Sequence, residues 1–320
     1  MGAKLDNPYI IQDTPMQIGV SGGRTSGYML KHLLDANDGK LPDSAVPTFQ
    51  NTGEECEETL NFLYEIGRRW CPIVWLEYDD KFDVEDYRTN DGSLSVRRQR
   101  GKEGAFKVVS FDTASRHGEP FDKMLLYYAQ YRKAVKLLDT AILPTLVTRM
   151  CTSHLKIKTS ERYMVSRGYT KFFRCHGVRY DEPKRYKDIP DNWFLPLVDA
   201  KVSKQMVNDW WKTQDFNLDL DEQSIEGNCR YCFLKHPDKL LAIMRKRLKI
   251  SDGIPDEELL RWSTREMTAG MNFRKDRPSY SGLVEIAQQS LIEGITNKYD
   301  FSLVPEYSCL CEGDHSGGEE

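Results

Sequence analysis

Gln17-Ile-Gly-Val-Ser-Gly-Gly-Arg-Thr-Ser26 is the stretch on which the reading of this chain turns. Gln17 to Val20 is a brief apolar run, Ser21 to Ser26 a glycine turn rich in hydroxyls, and Tyr28 to Leu34 an amphipathic run, so the order is strand, glycine loop, helix. A helix that opens in such a turn presents unpaired backbone N–H groups and the positive end of its dipole, which favour an anion. Gly22 and Gly23 let the backbone approach a phosphate closely, while Ser21, Thr25 and Ser26 can donate hydrogen bonds to its oxygens. The loop lacks the GKS/T ending of a Walker A motif and the GxGxxG spacing of a dinucleotide fold.

Outward from this stretch, strands are expected at 45–50 and 73–77 with a helix at 55–70 between them, an alternation that reads as a parallel sheet of right-handed βαβ units. Residues from about 79 to 120 are polar and glycine-containing and read as an insertion. Helices are expected at 121–138, 153–166 and 203–212, and strands at 171–175 and 194–197. Further helices follow near 238–249, 256–271 and 281–292, before an acidic, glycine-rich tail. The expected architecture is α/β, a parallel five-stranded sheet with helices on both faces, plus a helical, cysteine-bearing C-terminal lobe. The expected boundaries are 1–200 for the α/β domain, 201–308 for the lobe and 309–320 for the tail.

The 320 residues are 39% hydrophobic, 11% aromatic and 29% charged, which excludes a disordered or fibrous chain. Apolar runs such as Ile73–Leu76 are far shorter than the roughly 18 residues of a membrane helix, and MGAKLDNPYI has no signal-peptide pattern; a cytoplasmic location without membrane association is expected. The net charge of −4 conceals an uneven distribution. Residues 149–187 carry eleven Lys/Arg against three acids, net +8, and residues 230–249 carry seven against one, net +6. The remainder is therefore −18. This polarity suggests a face for phosphates or a nucleic acid, or else solvated helix faces. Arg97, Arg98, Arg100 and Lys102 form a further basic group in the insertion.

Eight cysteines are too few for a disulfide-stapled secreted scaffold. Cys56, Cys71, Cys151 and Cys175 stand alone, while Cys229-Arg-Tyr-Cys232 is a CxxC and Cys309-Leu-Cys311 a CxC. The CxxC spacing lets two thiolates reach one metal or cluster.

The second expected strand runs into Asn51-Thr-Gly-Glu-Glu-Cys-Glu-Glu-Thr59, so a second small-residue loop arrives at the same carboxyl edge of the sheet. Together, SGGRTS and NTGEECEET resemble the PP-loop superfamily of ATP pyrophosphatases and 3′-phosphoadenosine-5′-phosphosulfate (PAPS) reductases. Gly177-Val-Arg-Tyr-Asp-Glu182 with Arg185 is similar to that family's G-x-R-x-x-E-x-x-R segment, Leu195-Pro-Leu197 to its strand before a helix, and Gly227-Asn-Cys-Arg-Tyr-Cys232 to the cysteine pair of its iron–sulfur members. The resemblance spans about residues 16 to 250.

It implies that Ser21, Gly22, Gly23, Thr25 and Ser26 hold nucleotide phosphates, that Asn51, Thr52 and Gly53 lie beside the adenosine, and that Arg179 and Arg185 face the reacting anion. The cofactors implied are ATP or PAPS with Mg²⁺ and an iron–sulfur cluster of the 4Fe–4S type. Its expected ligands are Cys151, Cys229 and Cys232, with Cys175 as a fourth or one iron left open. Zinc is the alternative, completed by His154 or His176. Glu58 is expected either as a surface carboxylate or as a ligand, Arg24 at the surface, Glu182 beside Arg185, and Cys56 and Cys71 as structural residues.

Three functions follow from the resemblance. In the first, the chain adenylates a substrate, releases pyrophosphate and supports sulfur transfer onto nucleic acid, drawing on a sulfur donor. In the second, it reduces PAPS or adenosine phosphosulfate to sulfite with a thioredoxin-like reductant, Cys311 acting as nucleophile. There the family's reductases carry E-C-G-x-H, which Cys311-Glu-Gly-Asp-His315 does not reproduce in order. In the third, the fold serves as a non-catalytic nucleotide sensor or DNA-binding partner.

Overall fold

The computed structural model describes residues 7–12, 14–81, 105–136, 142–187, 189–220, 225–227, 229–294 and 301–304. Five parallel strands form the body of its sheet: β1 (Met16–Gly19), β2 (Ala45–Asn51), β3 (Val74–Tyr78), β5 (Phe173–Cys175) and β6 (Trp193–Phe194). A sixth, β4 (Phe106–Val109), pairs antiparallel with β3, giving the order β4-β3-β2-β1-β5-β6. The sheet is thus mixed and six-stranded, and part of the stretch read as an insertion returns as its edge strand. Lys107 on β4 reaches the buried Glu77 on β3 at 2.7 Å, and Phe106 packs edge-on against Tyr163. The polar composition of the segment concealed β4 because its pairing depends on contacts distant in sequence.

Alternation along each strand sends side chains to opposite faces. Met16, Ile18, Ala45, Phe49, Trp75 and Cys175 join one core with α1 (Arg24–Ala36), α2 (Glu57–Arg69) and α6 (Lys204–Trp211). Val46 and Leu76 point the other way, onto Tyr163 and Met164 of α4 (Thr159–Ser166). Helices therefore cover both faces, as a parallel sheet requires. On α2, Glu57 and Glu58 in the first turn and Arg68 and Arg69 in the last complement the helix dipole.

α6 crosses α1 closely. The Trp211 indole donates to the Arg24 carbonyl at 2.7 Å, and a Cβ on Gly27 would lie 2.8 Å from the Trp211 ring. Residues expected as a strand at 194–197 divide instead between β6 and a short helix, α5 (Pro196–Asp199), because Pro196 with its fixed φ and missing N–H is suited to a first helical turn.

A second core unites α7 (Pro237–Ile250), α8 (Glu257–Ala269) and α9 (Tyr280–Glu293) with Phe121 and Met124 of α3 (Glu119–Lys136) and with Met150 and Leu155. The helical lobe thereby shares its interior with elements that back the sheet. Cys151–Lys158 between them is π-helical, where an ordinary α-helix was expected. Among the described residues no helix is long and apolar enough to cross a membrane.

Candidate nucleotide and thiol site

The strand order 3-2-1-5-6 reverses between β1 and β5, and open α/β sheets bind ligands outside the carboxyl ends of their strands at such a switch point. Ser21–Ser26 follows β1 at this place, and Gly177–Arg179 follows β5. Gly22 sits at φ +76°, and a Cβ there would lie 2.4 Å from Thr59 Cγ2 on α2, so only glycine lets the loop press against that helix. Gly23 is the residue that precedes α1; no side chain caps the helix, and its first turn contains no acid. The N–H groups at this end of α1 keep their attraction for an anion.

Ser26 is buried and serves the loop itself: its Oγ accepts from the Ser21 N–H at 3.1 Å and donates to the Gly23 carbonyl at 2.9 Å. Thr25 turns outward and accepts a hydrogen bond from Arg179 Nη1 at 3.2 Å. Arg179 is set by two acids, Asp181 at 2.8 Å and Glu182 at 3.4 Å, and Glu182 holds Arg185 at 2.8 Å with its other oxygen. Glu182 thus orients both arginines. Gly177 passes within van der Waals reach of Ser26, with a hypothetical Cβ 3.3 Å from the Ser26 Cα. Arg24, expected in solvent, instead donates to Asn217 and to the carbonyls of Leu218 and Leu220. It ties the start of α1 to the chain beyond α6.

Asn51 at the end of β2 is fully committed: it donates to Glu77 at 2.7 Å and to the Ser115 carbonyl, and accepts from the Gly53 N–H. Its part is to shape the loop. Thr52 is bound by the Glu55 carboxylate through both N–H and hydroxyl. Gly53, at φ +77°, abuts Gly118, and a Cβ on Gly118 would overlap Glu54 Oε1. That glycine contact makes room for a buried knot in which Glu54 accepts from Arg265 at 2.7 Å and from the Trp262 indole at 3.0 Å.

The same loop carries the cysteine site. Glu55 and Cys229 form a single antiparallel β-bridge, Arg230 N–H donates to the Glu54 carbonyl, and Thr52 Oγ1 lies 3.6 Å from Cys229 Sγ. Cys232 lies near enough to Cys151 and to Cys229 to influence the ionisation of both. Burial, with Cys232 adding to it, pushes the Cys151 thiol up to about 11; burial and the Glu55 carboxylate push Cys229 well above its usual value.

Lys156 shares this neighbourhood. Burial opposes its charge, but Cys229, Glu55, Cys151 and Cys232 outweigh burial and hold its pKa up. The π-helix explains its position. The i→i+5 bonding of a π-helix brings residues five apart to the same side, whereas they diverge in an α-helix of about 3.6 residues per turn, so the π register brings Lys156 toward Cys151. Lys235, half-buried, donates to the carbonyls of Gly227, Cys229 and Arg230 and pins the CxxC loop. Sequence reading did not include Glu55, Lys156 or Lys235 among the site residues.

Cys175 does not join the group. It is buried on β5 with its thiol 3.5 Å from Met29 Sδ, inside the sheet core. His154 is engaged by Tyr128 and Lys158, and His176 packs on Trp193. A four-cysteine cluster including Cys175 therefore does not fit this chain. Among the described residues no three His, Cys, Asp or Glu side chains already converge as a metal site. The donor set of Cys151, Cys229 and Cys232 suits a soft metal once the thiols deprotonate and close in, in the way metal binding couples to local ordering.

Cys56 is buried, its thiol pushed up to about 12 by burial and directed at the Glu226 carbonyl. Glu58, half-buried, faces Arg230 at 3.5 Å. Cys309 and Cys311 lie outside the described residues, as do Arg97, Arg98, Arg100 and Lys102. The basic segment 149–187 is partly consumed internally. Arg162, Arg174, Arg179 and Arg185 pair with acids and Lys156 turns to the cysteines, whereas Lys184 and Lys187 remain exposed beside Arg185.

No family model matches this chain, and neither a curated protein nor a solved structure matches it.

Proposed function

We propose that this protein is a PP-loop ATP pyrophosphatase that adenylates a substrate and supports sulfur transfer onto nucleic acid. The observation that carries the reading is the meeting of Arg179 with Thr25 across the β1/β5 switch point, beside an uncapped helix N-terminus. In this reading the N–H groups of the Ser21–Ser26 loop bind the phosphates of ATP, bound with Mg²⁺. A substrate oxygen attacks the α-phosphorus and pyrophosphate departs as the P–O bond to it breaks. Arg179, with Arg185 near it through Glu182, opposes the charge that builds on the leaving group, and its planar fork is suited to phosphate oxygens.

The bridge between Glu55 and Cys229 supports coupling of this step to the thiols, because it joins the loop after β2 to the cysteine site. Cys151, Cys229 and Cys232 would hold an iron–sulfur centre with three protein ligands. When bound, such a centre supplies a coordination position for the sulfur to be transferred. Lys156 balances the charge of deprotonated thiols. Lys184 and Lys187 favour an anionic acceptor at this edge.

The test is anaerobic incubation of the protein with MgATP and candidate nucleic acids, measuring pyrophosphate. Release of pyrophosphate that depends on an acceptor supports the reading. Sulfite from PAPS, without pyrophosphate from ATP, would replace it with a sulfonucleotide reductase; neither product would leave a nucleotide-binding role without catalysis.

A further inference from the structure

A cavity of about 690 Å³ lies between α3 and α8, within the roughly 300–1,000 Å³ typical of small-molecule sites. Its walls are apolar: Leu125, Leu126 and Ala129 from α3, Leu260 from α8, and Leu143. Leu126 is 58% exposed and Leu260 49%, so the cavity opens to solvent through leucines.

One cation in the lining has unmet bonding capacity. Arg261 pairs with Glu54 at 3.8 Å, beyond hydrogen-bond distance, and its buried Nε has no hydrogen-bond partner among the described residues. Glu257, one turn earlier on α8 and also in the lining, is exposed and forms no ion pair with Arg261 among the described residues. The other acid there, Asp122, is taken by Arg265 at 2.7 Å, and Arg265 itself keeps Nη1 without a hydrogen-bond partner. A guanidinium beside apolar walls with donors left over calls for an acceptor that brings its own apolar body.

We propose that this cavity binds an amphipathic monocarboxylate, its apolar chain between α3 and α8 and its carboxylate on Arg261. A single negative charge suits a guanidinium that faces Glu54 at 3.8 Å yet leaves its Nε without a hydrogen bond among the described residues. A multiply charged ligand would face Glu257 and Asp122 with only one further arginine in the lining, Arg265, whose charge is already met by Glu54 and Asp122.

Calorimetric titration of the full chain with decanoate, and with decanol as the uncharged control, tests this. Decanoate is expected to bind once per chain and about tenfold more tightly than decanol, the difference expected of a charge-assisted hydrogen bond. Arg261→Gln should remove that preference while leaving decanol binding unchanged. Ala129→Trp should block both ligands by filling the cavity, with thermal melting confirming that each variant is folded. Equal affinity for the two ligands, no saturable binding of decanoate, or an unchanged preference in Arg261→Gln would overturn the proposal. So would sedimentation showing a dimer that decanoate does not disperse, which would give the cavity to a second copy of the chain.

Discussion

Arg179 donates from Nη1 to the hydroxyl of Thr25, 154 residues earlier in the chain, at 3.2 Å. The bond joins the loop after β5 to the first turn of α1 and places a guanidinium over an uncapped helix N-terminus. If this group stabilises a departing pyrophosphate, Arg179→Ala should lower the rate of pyrophosphate release about 100-fold, with a smaller loss in Arg179→Lys, which keeps charge without the fork. Single-turnover assays read this directly, and an unchanged rate in the alanine variant would remove Arg179 from the mechanism.

Gly22 and Gly23 are adjacent yet should answer differently to alanine. Gly22→Ala combines a positive φ with a Cβ 2.4 Å from Thr59, so it should destabilise the fold by about 2 kcal/mol or more in urea denaturation. Gly23→Ala meets only Ser21 Oγ at 3.8 Å, and the fold should tolerate it. Its new methyl nonetheless stands where phosphate would approach the backbone, so ATP affinity should fall while the melting temperature holds. Loss of stability without loss of affinity in Gly23→Ala would mean that the loop is only a turn.

The knot of Glu54 and Arg265 is buried on both sides, with side-chain exposures of 0% and 5%. Removing one partner strands a charge, so Glu54→Gln and Arg265→Met should each cost about 3 kcal/mol. The double variant should cost less than the two losses added, because neither charge is then left alone. Strict additivity in chemical denaturation would show that the pair contributes no coupling.

In metal-free protein the thiols should react slowly at pH 8. Burial raises Cys151 to about 11 and Cys56 to about 12, so their thiolate fractions at pH 8 are on the order of 10⁻³ and 10⁻⁴. The neutral thiol is the favoured form below these values, so alkylation by iodoacetamide should accelerate about tenfold per unit as pH rises from 8 to 10. Mass spectrometry of each site measures this, and fast labelling of Cys151 at pH 7 would contradict the environment described.

Cys175 should be irrelevant to metal content. Cys175→Ala is expected to retain whatever iron or zinc the protein carries and to cost about 1–2 kcal/mol through lost packing against Met29. Cys151→Ser and Cys229→Ser should each lower the metal content. Loss of metal in Cys175→Ala with the fold intact would restore it as a ligand.

The sequence by itself determined most of the parallel sheet and where the loops of the candidate site emerge. Alternation of short apolar runs with amphipathic ones is local information, and the Gly22–Gly23 turn and the CxxC are marked by residue types whose physical constraints do not depend on context. Tertiary structure alone decided the rest. β4 exists because Lys107 and Phe106 find partners on β3 and α4, and Cys175 faces Met29 because the strand's two-residue period sends it into the core. Cys151 and Lys156 come to one side of a segment that is π-helical, a period that side-chain spacing did not reveal. The loop after β2 reached the cysteines through a backbone bridge between Glu55 and Cys229, and backbone pairing of residues so distant in sequence leaves no mark in residue type.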